Sequence, residues 1–113
     1  MVSRDLQIII KIIKEIEVIE LFIDNMDFER FVDDERTKRA TCMTLINIGE
    51  LVKNLTDEFR SKYNKIPWRA IAGLRDVTAH KYQTLKIEDI WITLIQDIPK
   101  TKKQLLQIKS NLE

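Results

Sequence analysis

Residues 6–22 read as a helix that is apolar on two sides, and this constrains the fold more than any other feature. Leu6, Ile9, Ile10, Ile13 and Ile16 follow helical spacing behind Ser3, whose hydroxyl suits the capping position. Ile8, Ile12, Ile19 and Phe22 add a second line. The two lines cover more than the ~100° stripe of an ordinary surface helix. Such a helix needs either the centre of a bundle or a second chain against it. Two Gly and two Pro in 113 residues leave little punctuation for a many-stranded fold.

The remaining pattern is also helical. Residues 24–35 break the periodicity: Asn25, Asp27, Asp33 and Asp34 suit turns and caps, while Met26, Phe28, Phe31 and Val32 pin the segment down. A second helix is predicted over residues 34–55, with Ala40, Met43, Ile46 or Leu45, Leu51, Val52 and Leu55 inward. Gly49 lies inside it. An interior glycine costs about 1 kcal/mol against alanine, so it points to a close helix–helix approach. Thr56, followed by Asp57 and Glu58, reads as the cap of a short helix reaching residue 63. Pro67 fits the first position of another helix carrying Trp68, Ile71, Ala72, Leu74 and Val77. Gln83 and Thr84 mark a break. Ile87, Ile90, Trp91, Leu94 and Ile95 make a further helix, and Pro99 opens the last one. The expectation is an all-α antiparallel bundle of about four main helices plus short extra helices, as a single domain over residues 1–113.

Composition narrows the chemistry. One Cys excludes an intrachain disulfide and a cysteine-based zinc site, and one His excludes multi-histidine metal centres. Any histidine chemistry falls on His80 or on its copy in an oligomer. Lys and Arg total 19 against 18 Asp and Glu, a net charge of +1, so RNA binding would need a local basic surface. No signal-peptide pattern is evident, and the apolar run at residues 6–13 is far short of a membrane span. A cytoplasmic, soluble protein that meets no membrane is the expectation.

The stretch from Gly73 to Tyr82 places Arg75, Asp76, His80, Lys81 and Tyr82 close together at a predicted helix end. In an unbroken helix Arg75 and His80 would point ~140° apart and sit ~7.5 Å apart along the axis. They converge if the backbone changes near His80, or if one meets its counterpart from a second chain. Arginine grips phosphate oxygens with a fork of donors. A neutral imidazole can take a proton from a hydroxyl and return one to a leaving group. RNA carries its own nucleophile, the 2′-hydroxyl, beside each phosphate. One base and one cation therefore make a minimal ribonuclease with no cofactor. The structural alternative is an ion pair of Asp76 with Arg75 or a neighbour, and His80 as a polar helix end.

Arg75, Asp76, three further residues, His80, Lys81 and Tyr82 resemble the Arg–polar–x–x–x–His–x–Tyr motif of the HEPN superfamily, and more closely the HepT-type toxins. Asn47, Ile48, Gly49 and Glu50, then Asp57 to Arg60, Ile66 to Arg69, Ile71 to Arg75 and Trp91 occur in that family's order. The resemblance implies an all-α homodimer in which Arg75 and His80 line a cleft at the dimer interface and cleave RNA without a metal. It implies that Asp76 assists their placement. Many members carry Asn there, so Asp76 sets an extra negative charge beside the phosphate. It further implies that Tyr82 receives AMP from a nucleotidyltransferase antitoxin of the MntA type, adding bulk and charge next to His80.

Lesser features have bland readings. Lys81, Lys86, Lys100, Lys102 and Lys103 suit a solvated helix face better than an RNA track. Trp68 and Trp91 suit core anchors, and Cys42 a buried thiol. Asn47 and Glu50, near Gly49, are candidates to face the cleft. The rival to the ribonuclease is a non-catalytic helical subunit that partners a nucleotidyltransferase and binds nucleotide or phosphate. A purely structural helical dimer is the third reading.

Overall fold

The computed structural model describes residues 3–76 and 87–113. Among these the chain is helical, with no strand, which is the expected all-α class. Helix α1 (Arg4–Phe22) begins where the Ser3 hydroxyl accepts the Leu6 N–H at 3.1 Å. Ile8, Ile9, Ile12, Ile13, Ile16 and Ile19 are all buried, so both predicted lines turn inward. Helix α3 (Glu35–Lys53) covers one side of α1 and the C-terminal helix α7 (Ile98–Leu112) another. The wide apolar face is thus met within one chain, and α1 is the central helix.

Two contacts set α1 antiparallel to α3. The Asp5 carboxylate accepts the Thr56 N–H at 3.0 Å and the Thr56 hydroxyl at 2.8 Å, just past the end of α3. Ten residues further along α1, Glu15 accepts from Asn47 at 3.2 Å. Thr56 in turn accepts from the Phe59 N–H at 3.1 Å and so caps α4 (Asp57–Lys62), as predicted.

Several expectations are corrected. Residues 24–35, read as turns and caps, contain α2 (Phe28–Asp33), capped by Asp27. Six residues are too few for a period to show. Its Phe31 is fully buried and stacks on Trp91 with ring centroids 4.9 Å apart. Helix α3 faces inward with Thr41, Cys42, Leu45, Ile48 and Val52, and Met43 is 58% exposed. The Thr41 and Thr44 hydroxyls donate to the carbonyls of Thr37 and Ala40 at 2.9 and 2.8 Å. These threonines are therefore satisfied and enter the core, which a count of apolar residues misses. Asp34 caps α3, and the Thr37 N–H holds its carboxyl below the ordinary value.

Helix α5 (Trp68–Ala72) follows Pro67, which stands at the cap and not at the first helical position. The helix does not continue to Val77. It tightens at residue 73 into a 3-10 turn, Gly73–Asp76. Further on, α6 (Ile87–Ile92) runs through a π turn (Thr93–Asp97) into α7 with helical backbone on both sides of the turn. No break separates the last two predicted helices. The Ile98 N–H reaches the Thr93 carbonyl five residues back, which shifts the register just ahead of Pro99, a residue with no N–H to donate.

Gly49 is the point of closest approach. An ideal Cβ there would overlap the backbone nitrogen of Arg75 and lie 2.9 Å from the Ala72 carbonyl oxygen, whereas one at Gly73 would meet nothing within 4 Å. Gly49→Ala is expected to lower stability by about 1–3 kcal/mol in urea unfolding, despite alanine's better helix propensity. Gly73→Ala should leave it within about 0.5 kcal/mol.

Candidate active site

The close approach at Gly49 carries Arg75 to the flank of α3. Arg75 occupies the 3-10 turn, with its backbone against Gly49 and its guanidinium beside the next residue of α3. Nη1 of Arg75 lies 3.7 Å from Oε1 of Glu50. That is a charge contact, longer than a hydrogen bond. The two side chains are 39% and 54% exposed, so solvent screens the pair to about 0–1 kcal/mol. Arg75 thus remains accessible to an anion.

Glu50 also lines a groove of about 430 Å³ between α1 and α3, together with Lys11, Lys14, Glu15, Val18, Asn47 and Leu51. Asn47 stands one turn before Glu50 and is held by Glu15 across the groove. Both sequence candidates on α3 therefore fall at this groove, with Glu50 forming its junction with Arg75. Lys11, Lys14 and Glu15 were not singled out from the sequence. Their signal was present: on the most apolar helix, they and Val18 share one face at spacings of three and four. A larger concavity of about 610 Å³ lies between α5, the 3-10 turn and α7, with Leu74, Thr93 and Ile98 among its walls. No predicted site residue lines it.

Asp76 closes the 3-10 turn. His80 and Tyr82 lie outside the described residues, as do Val77, Lys81, Gln83, Thr84 and Lys86. The expected departure from α-helix, placed near His80, already occurs at Gly73, ahead of Arg75. The ~140° separation of an unbroken helix therefore does not describe the start of this motif.

The other candidates follow their bland readings. The Trp68 indole is buried and donates to the Tyr63 carbonyl at 3.0 Å, and Trp91 packs on Phe31 and Phe28. Lys102 pairs with Glu20 at 2.8 Å. Cys42 is buried, and desolvation pushes its thiol up to about 11. It is a neutral core side chain and no nucleophile at neutral pH.

An all-α domain that sets a solvent-accessible arginine at the end of a polar groove belongs to the phosphate-handling class of helical proteins. The profile of the HepT-like ribonucleases matches residues 12–108. The chain belongs to the HepT-like ribonuclease family. It is 41% identical over 97 residues to a protein of Caldanaerobacter subterraneus subsp. tengcongensis named as a candidate RNase, covering 86% of this chain and 87% of that one. It is 37% identical over 92 residues to one of the same naming from Methanocaldococcus jannaschii, covering 81% and 76%. It is 35% identical over 98 residues to a protein of Thermococcus cleftensis named "Probable ribonuclease HepT", covering 87% and 89%. No solved structure matches. No helix among the described residues is long and apolar enough to cross a membrane.

The raised thiol value gives a direct check. At pH 8 a thiol titrating at about 11 is almost wholly protonated, so native Cys42 should react with a disulfide reagent at least about 100-fold more slowly than the urea-unfolded chain. The rate should rise as pH approaches the thiol's own value.

Proposed function

We propose that this chain is a metal-independent RNA endonuclease that works as a homodimer and serves as the toxin of a toxin–antitoxin pair. The observation that carries this reading is the family match over residues 12–108, which contains the whole segment from Arg75 to Tyr82. Arg75 beside an open polar groove supports it. In the proposed reaction the neutral imidazole of His80 takes the proton of the 2′-hydroxyl, whose oxygen attacks the adjacent phosphorus. The bond to the 5′-oxygen breaks, and that oxygen receives a proton from an imidazolium. The products are a 2′,3′-cyclic phosphate and a 5′-hydroxyl. Arg75 stabilises the charge that builds on the non-bridging oxygens, and Asp76 helps to place the pair. The single domain spans residues 1–113.

A dimer through the α1/α3 face would bring two such sites, and a second His80, to one cleft. Leu21 is 76% exposed, Met43 58% and Phe22 39%. By helical spacing, Leu21 and Phe22 follow groove residue Val18 by three and four positions, and Met43 precedes Asn47 by four. The face thus has an apolar end suited to a second copy and a polar end that meets Arg75. A nucleotidyltransferase antitoxin silences the site by transferring AMP to the Tyr82 hydroxyl, with release of pyrophosphate from ATP. The added phosphate and nucleoside repel and obstruct RNA.

The purified chain should cleave single-stranded RNA in EDTA to fragments ending in cyclic phosphate. Arg75→Ala and His80→Ala should lower the rate by about 10²–10⁴-fold. Leu21→Asp should sediment as a folded monomer and lose most of the activity. Wild-type cleavage no faster than His80→Ala would remove the enzyme. Co-expression with the antitoxin should add the mass of AMP to the wild type and not to Tyr82→Phe. An equal gain on both would move the modification elsewhere.

A further inference from the structure

We infer that Glu50 is a positioning residue for Arg75: its carboxylate orients the guanidinium fork toward the groove in which the scissile phosphate binds. The inference rests on the ribonuclease reading above and assigns it a residue that the motif does not contain. Three observations lead to it. Gly49 puts the backbone of Arg75 in contact with α3, so the two Cα positions are locked together. Glu50 is the next residue of α3, and its Oε1 faces Nη1 of Arg75 across 3.7 Å. Glu50 also lines the α1/α3 groove, so it stands where Arg75 and the groove meet.

The looseness of the contact suits this role. A short bidentate pair would satisfy the fork and compete with phosphate. A charge contact on one edge biases the orientation of a long side chain and yields when a phosphate arrives. The same carboxylate repels a polyanion, so it weakens the binding of RNA while it aligns the group that stabilises the transition state. Orientation and ground-state affinity are thereby opposed, and a substitution that keeps size and removes charge separates them.

In Glu50→Gln, kcat on a fluorogenic single-stranded RNA should fall about tenfold, and KM should stay level or drop. The unfolding temperature should stay close to that of the wild type. If Glu50 acts through Arg75, the same change made in Arg75→Lys should alter kcat less than about twofold, because the fork it orients is gone. An unchanged kcat, a raised KM with kcat intact, or an equal loss in the Arg75→Lys background would each overturn the inference. A readout independent of turnover is the Nε–Hε resonance of Arg75 in 15N-arginine-labelled protein. It should move in Glu50→Gln, and an unmoved resonance overturns the inference. If the wild type itself leaves RNA intact, the ribonuclease reading fails, and this resonance alone decides whether Glu50 orients Arg75.

Discussion

The contact of Gly49 with the backbone of Ala72 and Arg75 sets the positions of everything else at the site. With no side chain at residue 49, α3 and the turn after α5 approach more closely than two ordinary helices can. The chain there is no longer α-helical but 3-10, which tightens the path just as Arg75 is presented. A methyl group at this point would have to move backbone and not a flexible side chain. Packing and chemistry are thus joined at one residue that carries neither charge nor nucleophile.

The near-neutral charge of the chain has a local counterpart. Lys11 and Lys14 alternate with Glu15 and Glu50 around the groove, so no strong positive field gathers there. Arg75 is the group placed to discriminate, and a fork donor matches phosphate geometry better than a diffuse basic patch. In the proposed dimer, two copies of this arrangement share a cleft, which strengthens the field without making the whole protein basic. The proposed modification of Tyr82 works in the same terms, since added phosphate acts hardest on a site whose positive charge is modest.

Helix α1 shows how one element serves two purposes. Its isoleucines fill the centre of the bundle between α3 and α7. Its few polar positions on the remaining face reach α3 through Glu15 and Asn47 and frame the groove. The apolar excess first suggested either a central helix or a partner. The core accounts for most of it, and what remains outside is confined to the C-terminal end at Leu21 and Phe22.

Helix class, the caps at Ser3 and Thr56, the burial of Cys42 and both tryptophans, and the close approach at Gly49 were legible in the sequence. Each depends on a residue and its near neighbours: a hydroxyl three positions before an N–H, an apolar period, a glycine where alanine would be preferred. The order of Arg75, Asp76, His80 and Tyr82 was equally legible, because a motif is a local string. The inward face of α3 was not, since buried threonines bond back to their own helix and escape an apolar count. Neither was α2, which tertiary stacking of Phe31 on Trp91 holds in place. The continuity of the last two helices through a π turn also escaped, because proline reads as a break. The neighbour of Arg75 could come only from the tertiary structure. Glu50 lies 25 residues away in sequence, and no local rule pairs a 3-10 turn with the flank of a helix until packing has set the distance between them.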